Sequence, residues 1–253
     1  MLAALEGVIC IVLASPLGIG MALIGGLLGR AIALSRQRSA RQGPLPGLIV
    51  LPIAFALEVV LPPATDFATR QAIDVAAPPE IVWDSIVNME RIGEPSALPF
   101  RLGVAYPLGG EIVGEGVGAV RRGEFSTGIA IERVTEWIPN RKLAFVVVED
   151  VPSMREVSPY ESLHTPHLIG YFETRETSFE LFENADGGTQ IVERTKHLLK
   201  LDPVLYWLPL ARWIVHENNT RVLDHIKRQA ESHPRTVLTL SLGVPGIIPN
   251  HNR

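Results

Sequence analysis

The sequence predicts an α+β fold, an antiparallel sheet wrapped around a long C-terminal helix and preceded by two transmembrane helices. Three observations predict it. Apolar residues recur with strand and helix periods in the order strand, helix, several strands, long helix. Pro, Gly and Asp-Gly pairs punctuate the strands at hairpin spacing. Mean hydropathy is +0.21 despite 20% charged residues, and the excess apolarity is concentrated before residue 65. Three regions follow: a membrane region, 1–65; a water-soluble domain, 66–233; and a C-terminal tail, 234–253.

The first predicted span, about 7–29, carries no charged residue and is long enough for a transmembrane helix. Its glycines suit close packing in a bilayer, and Pro16 predicts a kink. It lacks the basic start of a signal peptide and is too long for one. The second, about 44–62, is interrupted only by Glu58, near its end, where the headgroup region is within reach. Between the runs lie Arg30, Arg36, Arg38 and Arg41 with no acid. The positive-inside rule puts that loop in the cytoplasm and the soluble domain on the extracytoplasmic side, periplasmic in a bacterium.

In the soluble part, 69–76 reads as a strand. Pro78-Pro79-Glu80 then opens a helix through Met89, with proline where no N–H is needed and a carboxylate at the positive helix end. Its apolar stripe is Ile81, Val82, Ile86 and Met89. The segment 90–110 reads as irregular, with Gly109-Gly110 as a turn. Strands are predicted at 111–115, 118–125, 128–137, 142–149, 171–183 and 189–200, with Asp186-Gly187-Gly188 as a tight hairpin turn. Asp202-Pro203 reads as a capping side chain followed by proline at the first helical position. Pro209 is expected to kink or divide the helix that follows. That helix carries the stripe Ala211, Ile214, Val215, Val222 and Ile226, with Asn218 inside it.

This element order resembles the START-like superfamily, the polyketide cyclase/dehydrase and lipid-transport proteins (SRPBCC). The resemblance implies a helix-grip fold holding an apolar ligand between sheet and helix. The segments 100–107, 116–122, 125–128, 154–160, 164–168 and 221–227 are similar to those of a membrane-anchored bacterial subgroup. That subgroup brings no established substrate or catalytic residue. The chain also lacks an active-site signature of the polyketide cyclases proper.

Candidate site residues fall in two places. The loop 151–170 is long for a connection and holds Met154, Arg155, Tyr160, His164 and His167. It reads as a lid or mouth, or as an ordered surface loop. His164 and His167 lack a third marked ligand, so no metal is expected. Glu193, Thr195 and His197 share one strand face and, with Asn218, are polar groups that suit orienting a ligand. Arg121-Arg122, Arg155 and Arg175 have the fork for an anionic headgroup. Pairing across the sheet with Glu124, Glu132 or Glu176 is the commoner fate of such arginines.

Net charge is −4, which invites no nucleic acid, and the single cysteine, Cys10, excludes an intrachain disulfide. No phosphate-binding or dinucleotide loop is present, and no cofactor is expected. The expected partners are an apolar small molecule or lipid and the membrane. The leading functional expectation is a membrane-tethered module that binds or transfers such a molecule, lipid or isoprenoid-like. The alternatives are a cyclase/dehydratase-type enzyme using His164, His167 or His197 as general acid/base, and an interaction domain with a filled core.

Overall fold

The computed structural model describes residues 8–36, 64–155 and 170–232. The second predicted span, the C-terminal tail, and Tyr160, His164 and His167 lie outside the described residues. The chain opens with α1, Val8–Arg36, whose stretch Ile11–Ala31 is long and apolar enough to cross a membrane and is the one such helix among the described residues.

Eight strands form one antiparallel sheet: β1 Thr65–Val75, β2 Asn88–Met89, β3 Pro107–Val113, β4 Val120–Phe125, β5 Gly128–Ile138, β6 Lys142–Glu149, β7 Phe172–Glu183 and β8 Thr189–Leu199. Their order across the sheet is β1-β8-β7-β6-β5-β4-β3-β2. The last strand therefore returns beside the first. Bulges in β3, β5 and β7 bend the sheet so that one face curls inward. Three helices accompany it: α2 Pro79–Val87, the short α3 Leu98–Arg101, and α4 Val204–Ser232. The long α4 packs along β1 and against α2 on the inner face. This is the helix-grip fold.

Local chemistry explains the elements. The Pro78 carbonyl accepts from the N–H groups of Ile81 and Val82, so α2 starts at Pro79, where the missing N–H costs nothing. Its buried side is Val82, Ser85 and Ile86. The β7–β8 turn is closed by the Asn184 N–H on the Gly188 carbonyl, with Gly187 at φ 77°. Val75, Val82, Ile86, Val134, Leu143, Phe179, Ile191 and Ile226 meet in one core that joins β1, α2, β5, β6, β7, β8 and α4.

Several boundaries differ from the sequence expectation. β1 begins at Thr65, four residues early, because all of Thr65–Val75 is paired with β8. The segment expected to be irregular contains α3 and the start of β3. Gly109-Gly110 is not a turn but lies inside β3, where the missing side chain of Gly110 makes room for the Arg121 guanidinium. Pro203 is not the first helical residue. Its carbonyl accepts the first helical hydrogen bonds, and Asp202 Oδ1 accepts from the Val204 N–H. Pro209 does not divide α4. Trp207 and Leu208 before it and Ala211 and Val215 after it pack with Phe67 and Leu199, and that shared cluster keeps the helix in one piece.

Ile226 is fully buried where α4 meets the sheet. Ile226→Ala is expected to lower the unfolding free energy by about 2–5 kcal/mol, read from urea denaturation followed by tryptophan fluorescence.

Candidate functional site

Beside the cluster of Phe67, Leu199 and Val215, the inner face of the sheet and the N-terminal half of α4 stand apart. They enclose a cavity of about 210 Å³. Its walls are mainly apolar: Phe125, Phe145, Phe172 and Phe179 from the strands, with Trp207, Leu210, Ile214 and Val215 from α4. Polar groups enter at a few defined places.

The first is an ion pair. Arg121 on β4 and Glu132 on β5 are direct cross-strand partners, and Arg121 Nη1 donates to Glu132 Oε2. Both side chains are almost fully buried. The guanidinium also lies over the Phe145 ring at 4.6 Å. Burial pushes the Glu132 carboxyl above its ordinary range, and the charge and hydrogen bond of Arg121 pull it back.

The second is a hydroxyl–imidazole network built on β8. Alternation along that strand turns Ile191, Glu193, Thr195, His197 and Leu199 to one buried face. Thr195 Oγ1 lies 2.6 Å from Thr69 Oγ1, 2.7 Å from His197 Nε2 and 3.4 Å from Asn219 Nδ2, which saturates a hydroxyl. His197 Nδ1 faces Thr174 Oγ1 at 3.3 Å. The ring stacks against Phe67 and Phe172, each at 5.1 Å between centroids. Burial lowers its pKa to about 4, so it is neutral at pH 7.

The third is Glu193. It is 3% exposed, and its Oε2 is enclosed without a hydrogen-bond partner. Burial pushes its pKa up to about 8, against the opposing charge of Arg121. At pH 7 the group is a carboxylic acid. The fourth is Asn218, whose Nδ2 donates to the Ala105 carbonyl at 3.2 Å near the cavity rim.

Leu13 of α1, Val104, Ala105, Val151, Ser153 and Met154 border the rim. Residues 153–155 are pinned to 103–105: the Ala105 N–H donates to the Ser153 carbonyl at 2.9 Å, and the Arg155 N–H to the Gly103 carbonyl at 2.7 Å. Among the sequence candidates, Met154, Glu193, His197 and Asn218 line the cavity, together with Thr195. The Arg155 side chain is exposed and is not part of the lining. Arg175 is also outside it, near Asp66 and Glu173 on the sheet. Among the described residues, no three His, Cys, Asp or Glu side chains converge as metal ligands.

Sequence reasoning missed Asn219, Thr69, Thr174 and the placement of Arg121 and Glu132 inside the cavity. Strand parity carried the signal for the pair: Arg121, Gly123 and Phe125 alternate on β4, as do Ala130, Glu132 and Val134 on β5. No family model and no curated protein matches the chain. Among solved structures it is similar to the Zhui aromatase/cyclase from a Streptomyces species (18% identity, covering 68% of this chain and 98% of that one, TM-score 0.44). It is also similar to Ara h 8.0201 (14%, 66% and 98%, TM-score 0.41) and to protein CV1439 from Chromobacterium violaceum (12%, 65% and 96%, TM-score 0.42).

Two predictions follow from these electrostatics. Glu193 has a raised folded pKa, so its contribution to stability is full in acid and is lost as pH rises toward about 8. His197, depressed to about 4, contributes above its ordinary value and loses that contribution as pH falls toward 4. Between about pH 6.5 and 8, the unfolding free energy of the wild type should fall by about 1–2 kcal/mol relative to Glu193→Gln. Urea titrations at stepped pH measure it. By the same method, Arg121→Leu should cost about 3–5 kcal/mol by stranding Glu132, and Arg121→Leu with Glu132→Leu should recover most of that loss.

Proposed function

We propose that this protein is a membrane-tethered module that binds or transfers an apolar molecule, lipid or isoprenoid-like, in the cavity between sheet and α4. The observation that carries the reading is the cavity itself: about 210 Å³, mainly apolar-walled, with a few polar groups at defined places. A filled core, as an interaction domain predicts, is not what lies between the sheet and the N-terminal half of α4.

The tether reading draws support from α1. Leu13 borders the cavity rim and packs near Phe100, Val104 and Ile214, and the Tyr206 hydroxyl donates to the Leu13 carbonyl. Beyond this point α1 is apolar and exposed through Ile19, Leu23 and Leu27. Leu205, 89% exposed at the start of α4, adds an apolar group close to Tyr206. A bilayer around α1 would cover these surfaces and set the rim at its edge. The soluble domain would lie on the extracytoplasmic side, as Arg30 and Arg36 in the C-terminal part of α1 and Arg38 and Arg41 beyond it predict.

The enzymatic alternative is narrowed at His197, which the structure leaves only a base role. His197 has both ring nitrogens facing threonine hydroxyls and a pKa of about 4, a poor setting for a general acid at neutral pH.

Native mass spectrometry with lipid extraction on the full-length protein tests the reading. A lipid or isoprenoid released on denaturation is the expected result. It should be absent from Ala211→Trp, which puts an indole into the cavity wall. A ligand-free wild type, or the same lipid load in both proteins, would overturn it.

A further inference from the structure

We infer that the cavity selects an uncharged apolar molecule carrying a carbonyl-type acceptor oxygen, and that Glu193 donates the hydrogen bond that holds that oxygen; this rests on the cavity being a ligand site. Glu193 sits in the middle of β8, opposite Gln71 on β1 and Phe179 on β7. Phe179 offers no polar atom. The Gln71 amide nitrogen is engaged by His216 and Thr220 on α4, and its Oε1 is itself enclosed without a partner. Glu193 Oε2 is likewise without one. Arg121, whose charge reaches Glu193, is hydrogen-bonded to Glu132. The adjacent network is closed on itself, because the Thr195 hydroxyl is saturated by Thr69, His197 and Asn219.

A buried carboxylate would need donors that these neighbours do not supply. A carboxylic acid needs only one acceptor. Burial keeps the group in that acid form up to about pH 8. Glu193 therefore adds to the wall, beside the ion-paired Arg121 and the closed threonine–histidine–asparagine network, a donor that no side-chain hydrogen bond commits, which is the complement of a ketone, aldehyde or ester on an apolar body. A ligand anion would face Glu132, and a ligand cation would face Arg121, so neither charge is favoured. The titratable groups lining the same cavity are Arg121 on β4, Glu132 on β5, Asp150 after β6 and His197 on β8. From β1 and α4, uncharged Gln71 and Asn219 face the strand.

The experiment is calorimetry on full-length, lipid-stripped protein in maltoside micelles, with empty micelles as the blank. Three probes share one two-ring body: 2-acetylnaphthalene, 2-ethylnaphthalene and 1-(2-naphthyl)ethylamine. At about pH 6.5 the ketone should bind roughly tenfold tighter than the hydrocarbon, the scale of one buried hydrogen bond. Glu193→Leu should erase that preference, and Glu193→Gln, whose amide still donates, should keep it. At about pH 9.5 the preference should vanish in the wild type and persist in Glu193→Gln. Equal binding of ketone and hydrocarbon, or an unchanged preference in Glu193→Leu, overturns the inference and leaves the cavity reading standing. The acid would then be satisfied inside the protein, with Gln71 Oε1 as its acceptor. Tightest binding by the amine overturns it in favour of an ion pair. Binding of none of the three overturns it together with the cavity reading.

Discussion

Everything in this domain depends on the pairing of its first strand with its last. β1 and β8 match residue for residue from Thr65 opposite Leu199 to Val75 opposite Thr189. That ladder brings together segments more than a hundred positions apart in sequence. It fixes which faces turn inward, because a slip of one residue would send every buried side chain on β8 to the outer face. It also sets Thr69 against Thr195, the contact from which the polar network grows, and aligns β1 so that α4 lies along it. The cavity lies between the two places where α4 packs on the sheet, the cluster of Phe67, Leu199 and Val215 and the main core around Ile226.

The inner face carries more polarity than stability requires. Arg121, Glu132, Glu193, Thr195, His197 and Asn219 are all buried. Burying such groups has a steep desolvation cost unless they are paired, and an apolar core of the same volume would hold the fold at least as well. Two of the three sets are internally satisfied: the ion pair, and the threonine–histidine–asparagine network. Glu193 stands apart from both. Most of these buried groups are thus committed to each other, and one is left over.

Much of the fold was legible in the sequence because it rests on short-range rules. The Pro-Pro-Glu entry of α2, the Asp-Gly-Gly turn and the alternation of β8 are each written in a few adjacent residues, and the structure follows them. What failed were cases where distant packing overrides a local habit. The division that Pro209 suggested does not occur, because residues on both sides of it share one apolar cluster. Gly109-Gly110 normally turns a chain, yet here it continues β3. The polar strip of β8 was readable from its period. The cavity it lines was expected only through the family resemblance, since curvature comes from bulges whose positions no local pattern announces. Asn219 is one residue from the predicted Asn218, and only the helix rotation separates the hydroxyl network from the rim.

Gly110 and Gly123 flank the guanidinium of Arg121 from neighbouring strands. Together they form a slot, a gap in the sheet's inner lining shaped to one cation. A methyl group at position 110 would occupy the space the guanidinium fills, and a long, flexible side chain yields more readily than the backbone behind it. Arg121 would swing away, Glu132 would lose its counter-charge, and the field felt by Glu193 would change with it. The charge state of the whole chamber is thus governed from a position that has no chemistry of its own. Sequence drift there would alter the electrostatics of the cavity without changing any residue that lines it.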